Sequence, residues 1–97
     1  MLSGRQKRFL RSLGMTMEPL LHIGKDGVTP PVVRQAVDAL RARELIKGRA
    51  LPTTPDSVAD VAASLAEATE SVVVQVIGRN FLLFKPNDDD PKLQLPV

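Results

Sequence analysis

Two hydrophobic rhythms alternate along the chain. From Ser3, the apolar residues Phe9, Leu10 and Leu13 share one side of a helical wheel, while Lys7, Arg8 and Arg11 fall almost opposite. This pattern predicts a helix that adheres to the domain by one stripe and shows cations on the other. Ser3-Gly4-Arg5-Gln6 reads as its capping box, and Gly14 as its stop. Leu20-Leu21-His22-Ile23 is a short strand-type run ending at the turn-like Gly24-Lys25-Asp26-Gly27. Thr29 followed by Pro30 marks a second helix, running to about Arg43, with Val33, Ala36, Val37 and Leu40 facing the core. Leu45 to Leu51 predicts a second strand, in which Lys47 and Arg49 alternate with Ile46 and Ala50. After the break Pro52-Thr53-Thr54-Pro55, a third helix is predicted from about Asp56 to Thr69. It buries Val58, Val61, Ala62, Leu65 and Ala66 and turns Asp60 and Glu67 outward. The β-branched run Val72 to Ile77 is the strongest strand signal, and Gly78-Arg79-Asn80 turns it into Phe81–Phe84 as an antiparallel hairpin.

The order α-β-α-β-α-β-β predicts an α+β domain, a two-layer α/β arrangement with a mixed four-stranded sheet. The strand–helix–strand units favour parallel pairing by right-handed crossover, and the hairpin adds an antiparallel strand. Which face each helix covers does not follow from the pattern. The domain is expected over residues 1–86. Residues 87–97, with Asp88-Asp89-Asp90 and repeated prolines, read as a flexible acidic tail.

Composition narrows the chemistry. A chain of 97 residues, 43% hydrophobic and 25% charged, suits one small globular domain. It has no cysteine, which removes thiolate metal sites and cysteine nucleophiles. A single histidine removes a multi-histidine metal cage, so no metal and no cofactor is expected. The apolar runs fall far short of the ~20 residues that span a bilayer. The basic N-terminal segment has no apolar stretch behind it, so a cytoplasmic protein without membrane association is expected.

Net charge is only +2, but its distribution is uneven. Residues 1–49 hold ten Lys/Arg against four Asp/Glu, and residues 50–97 hold three against seven. Such asymmetry points to a polyanionic partner for one face, or to a solvated basic surface without one. The three phenylalanines are the only aromatic residues, which argues against a sheet that stacks bases on exposed rings. A nucleic acid would be held mainly through its phosphates.

The loop Gly24-Lys25-Asp26-Gly27 is the sharpest feature. Its glycines permit a tight turn and close backbone approach. The helix after Thr29 presents free N–H groups and the positive end of its dipole, and Lys25 adds a full charge. Together they form a candidate phosphate seat, comparable to the GxxG loop of KH domains. The bland alternative is an ordinary strand-to-helix turn, and the charge of Asp26 opposes phosphate. The loop is too short for a Walker P-loop and lacks its Lys-Ser/Thr. Arg34, which shares a face with Arg41, extends the basic surface if that face adjoins the loop. His22 is expected to be partly buried and hydrogen-bonded. Phe81 and Phe84 should point to opposite faces of the sheet, with at least one in the core. Met15 and Met17 should fill gaps beneath the first helix. Arg79 is either a solvated turn residue or a ligand contact, and Asp88–Asp90 should be solvated.

Four segments resemble the signature blocks of the CRM domain, in order and spacing: Leu2–Arg11, His22–Thr29, Glu44–Lys47 and Val74–Arg79. The whole chain resembles the stand-alone bacterial YhbY-type members, over about residues 2–86. The resemblance implies an RNA-binding domain similar in fold to the C-terminal domain of translation initiation factor three. It further implies association with precursors of the large ribosomal subunit; in plants the domain recurs in splicing factors for organellar group II introns. By the same resemblance, Gly24, Lys25 and Gly27 should contact RNA together with Lys7, Arg8 and Arg11. The full candidate set adds Arg5, Thr29, Arg34 and Arg79. Two departures stand out: Asp26 within the loop, and Thr69-Glu70-Ser71 where a glycine cap is usual. The expected protein is non-enzymatic, its partner is ribosomal RNA, and its oligomeric state is left open with a monomer favoured. The rivals are an enzyme acting on a phosphate-bearing small molecule, a protein–protein adaptor with a basic face, and a general nucleic-acid binder.

Overall fold

The computed structural model describes residues 2–97. Its elements are α1 (Gly4–Gly14), β1 (Leu21–Ile23), α2 (Pro30–Arg43), β2 (Leu45–Ala50), α3 (Val58–Thr69), β3 (Val72–Ile77) and β4 (Asn80–Phe84). The predicted α+β class and order are those observed. The strands form one mixed sheet in the order β1-β2-β4-β3, with β1 and β2 parallel and the other pairings antiparallel.

Local chemistry sets the helix ends. Ser3 Oγ accepts from the Gln6 backbone N–H at 3.1 Å while the Ser3 N–H donates to Gln6 Oε1 at 3.0 Å, closing the predicted capping box. Thr29 Oγ1 accepts from the Val32 N–H at 3.5 Å. The third helix begins two residues later than predicted, because Ser57 rather than an earlier residue caps it by accepting from the Asp60 N–H at 3.1 Å.

The alternation of β4 divides the core. Phe81 and Leu83 face α2 and α3, joining Leu21, Ile23, Ile46, Leu40, Val61 and Leu65. Leu82 and Phe84 face the other way, onto Leu10 of α1 with Leu45 and Val74. Both phenylalanines are therefore core residues on opposite faces. The helix placement left open by the sequence is now settled: α2 and α3 cover one face and α1 the other. Two glycines allow this closeness. A Cβ at Gly48 would lie inside contact distance of the Phe81 ring, and one at Gly14 would meet Leu82.

The parallel pair fixes which loops meet. The β1–α2 loop, the β2–α3 loop and the β3–β4 hairpin turn lie at one end of the sheet, and residues 85–93 leave from the opposite end. That second end holds the chain beyond β4, which the sequence predicts as a loose tail. Glu44 is 2% exposed, and its carboxylate accepts from the backbone N–H groups of Lys92 at 2.5 Å, Asn87 at 2.6 Å and Leu93 at 2.7 Å. Leu93 and Leu95 pack onto the α1 core. Burial alone would push the Glu44 carboxyl up; the three N–H donors and the nearby Lys92 charge more than offset this and hold it below its ordinary value. The acidic triplet is locally organised too: Asn87 Oδ1 accepts from the N–H groups of Asp89 and Asp90, and Asp90 pairs with Lys92 at 2.6 Å.

Candidate nucleic-acid interface

The glycine loop is a closed turn. The Gly27 N–H donates to the Gly24 carbonyl at 3.0 Å. Gly27 needs its identity for a φ of +68°, which side chains rarely tolerate, and it is itself buried. Asp56 reaches this turn, with its Oδ2 3.8 Å from where a Gly27 Cβ would sit. Lys25 and Asp26 are the exposed members. The Gly27 amide is thus engaged in the turn, and the first turn of α2 offers no free N–H group, contrary to the sequence reading, because Pro30 and Pro31 carry none and the Val32 N–H donates to Thr29 Oγ1. The group this loop offers to an anion is the Lys25 ammonium, with carboxylates of Asp26 and Asp56 close by in the fold.

Arg79 is exposed in the hairpin turn at the same end of the sheet. Its carbonyl accepts from the Ala50 N–H at 2.8 Å, which ties the turn to the end of β2. Arg34 lies on α2 near the loop and is exposed. The sheet separates α2 from α1, so Arg34 and the α1 cations belong to opposite layers. On α1, Arg8 is exposed and Lys7 and Arg11 are half-buried. Arg5 is exposed, and its Nη1 donates to the main-chain oxygen of Val97 at 3.1 Å. Among the described residues the Lys92–Asp90 contact is the one ion pair, so these arginines and lysines have no carboxylate partner there.

His22 and Arg49 connect the two groups. Leu21 and Ile23 are fully buried under α2 and α3, so His22 points to the α1 face. α1 packs over β2 and β3 and leaves the β1 edge open. His22 is exposed there, not partly buried as the apolar run suggested, because β1 is an edge strand covered on one face. Its register partner is Arg49, also exposed. Next along β2 on this face, Lys47 donates from Nζ to the carbonyls of Gly14 at 3.1 Å and Met17 at 3.3 Å, fixing the end of α1. A line of basic side chains thus runs from the end of α1 through Lys47, Arg49 and His22 to the loop bearing Lys25. Arg49 lies outside the sequence-derived site. Its signal is the alternation of Lys47 and Arg49 with apolar neighbours, which puts both on one sheet face. The acidic triplet lies at the far end of the sheet.

The sequence matches the CRS1 / YhbY (CRM) domain family over residues 2–85. It is 40% identical to "Probable RNA-binding protein YqeI" of Bacillus subtilis, covering 99% of this chain and 100% of that protein. It is 30% identical to "RNA-binding protein" of Haemophilus influenzae, covering 98% and 95%. The solution structure of the hypothetical protein SAV1595 from Staphylococcus aureus superposes with a TM-score of 0.81 at 40% identity, covering 99% of this chain and 100% of that one.

Proposed function

From a chain that belongs to the CRS1/YhbY (CRM) domain family, we infer a non-catalytic RNA-binding protein that engages structured ribosomal RNA in the cytoplasm and assists assembly of the large subunit. The observation that carries this reading is the run of unpaired cations on one side of the molecule, from Lys7, Arg8 and Arg11 on α1 through Arg49 to Lys25, with the acidic triplet at the opposite end. A phosphate backbone laid along it replaces condensed counterions with fixed charges, so affinity falls steeply with salt. Lys25 and Arg79 grip at the loop end, and the α1 cations steer and hold the approach. Arg34, on the other layer, is a secondary contact for RNA that wraps the loop end. Gly24, Gly27 and Thr29 shape the loop rather than hold phosphate directly. Such backbone-led binding positions the protein with modest sequence preference.

The test compares the unaltered protein with Lys25→Glu and with the triple change of Lys7, Arg8 and Arg11 to Ala. Affinity for ribosomal RNA at physiological salt and co-sedimentation with large-subunit precursors are the readouts. Both variants should lose affinity without unfolding, and the triple should lower the salt slope by about one unit per phosphate contact removed. Unchanged affinity and unchanged sedimentation would remove the reading.

A further inference from the structure

One cross-strand row on the α1 face is only partly covered. Register places Ile77 opposite Asn80, Asn80 opposite Arg49, and Arg49 beside His22, so four side chains from β3, β4, β2 and β1 stand side by side on one face. The row ends at the glycine loop, since His22 lies two residues before Gly24. Beside its β3–β4 half, where α1 stops, is a cleft of about 220 Å³ lined by Met15, Lys47, Gln75, Ile77 and Asn80, among others.

The chemistry of this row changes along its length. Met15 and Ile77 are large apolar residues 81% and 63% exposed, flanking the cleft. The sequence predicts Met15 as a gap-filler beneath α1, but it lies past the helix end and faces solvent. Asn80 Oδ1 is shielded from water and has no hydrogen-bond partner among the described residues. An unpaired acceptor of this kind costs free energy that a donor reached by a small turn of the amide would recover. Arg49 and His22 follow as exposed basic groups. An apolar clamp, an unsatisfied amide and a basic flank, in that order, match the base, the base edge and the phosphate of one nucleotide.

We propose that this row docks a single unpaired RNA nucleotide, and the proposal rests on the RNA-binding reading above. The base lies against Met15 and Ile77, with an exocyclic amino or ring N–H donating to Asn80. The phosphate sits on Arg49 and His22 and leads the strand toward Lys25. A base held by two aliphatic side chains needs no aromatic ring, which reconciles nucleic-acid binding with a chain that buries its core phenylalanines. Basic flanking groups favour a polyanion over a second copy of this net-positive chain.

The test uses the full chain with an eight-nucleotide single-stranded RNA and the same strand carrying abasic positions. The Met15→Ser/Ile77→Ser double variant changes two exposed residues and no charge. It should lower affinity for the base-bearing strand by about tenfold, while abasic affinity and salt slope stay unchanged. Arg49→Gln should instead weaken both strands and lower the salt slope by about one unit. Equal affinities of the double variant and the unaltered protein for the base-bearing strand would overturn the docking row. If Lys25→Glu still weakened binding in that case, the RNA-binding reading would survive. No binding by the unaltered protein to this strand or to ribosomal RNA would overturn both. An unaltered protein that sediments as a dimer and becomes monomeric on the double change would assign the row to a second copy and overturn the proposal.

Discussion

Replacing Glu44 by glutamine tests how the chain beyond β4 is held. The native carboxylate accepts three backbone N–H groups at 2.5–2.7 Å, two on Oε1 and one on Oε2. Hydrogen bonds to a charged acceptor contribute roughly 1.5–3 kcal/mol each, against about 1 for neutral ones. A glutamine at this position would keep one oxygen, retaining the Lys92 and Leu93 bonds at neutral strength, but would turn its NH₂ toward the Asn87 N–H. Losing one charge-assisted bond and weakening two sums to roughly 3 kcal/mol. Because residues 87–93 can swing into water and hydrate their freed amides, the net loss should be about 2 kcal/mol, near 10 °C in Tm for a domain of this size. Urea denaturation at pH 7 measures that loss, and hydrogen exchange at the Lys92 and Leu93 amides shows where it arises. The pH dependence has a definite sign. The folded carboxyl lies below its ordinary value of 4.5, so its contribution is complete above that value and disappears as pH falls through the folded pKa. The gap between the native protein and Glu44→Gln should therefore be full at pH 7 and shrink below about pH 4. Equal stabilities at pH 7, unchanged protection at Leu93, or a gap constant down to pH 3 would refute the argument.

Three further outcomes follow from the same geometry. Glu70 caps α3 in the left-handed region at φ 57° and ψ 41°, so Glu70→Gly should stabilise the domain by about 0.5–1 kcal/mol in thermal melts. Gly48→Ala drives a methyl into the Phe81 ring and should destabilise by roughly 1–3 kcal/mol in urea titrations; a neutral effect would mean the Phe81 side chain moves freely. Asp26→Asn removes a carboxylate beside Lys25 and should strengthen RNA binding in a fluorescence titration, most at low salt.

The elements are legible in the sequence because each carries its own local signal. Ser3 and Gln6 encode a reciprocal cap, Thr29-Pro30 a helix start, and Gly78 a turn at φ +58°. What the pattern cannot give is the third dimension. Residue spacing puts Lys7, Arg8 and Arg11 on one face of α1, but only the packing of Leu10 against Leu82 and Phe84 shows that α1 lies across the sheet from α2 and Arg34. His22 escapes the pattern because a short apolar run does not reveal whether its strand is central or at an edge. The docking of residues 87–95 is hidden because its anchor is a backbone-to-carboxylate contact. Nothing in Pro86–Pro91 shows that Glu44, more than forty residues earlier, receives those amides. Glu44 itself sits at φ +64°, a conformation that would suggest glycine, and only its three partners explain a carboxylate there.

The central claim is that RNA runs along the α1 face to the loop of Lys25. Ultraviolet crosslinking of the full chain to ribosomal RNA, followed by mass-spectrometric identification of the modified peptides, tests it most directly. Crosslinks should concentrate in residues 5–15, 22–25, 47–49 and 77–80. Adducts confined to the exposed side of α3 and the acidic triplet, with the α1 face unmodified, would contradict it.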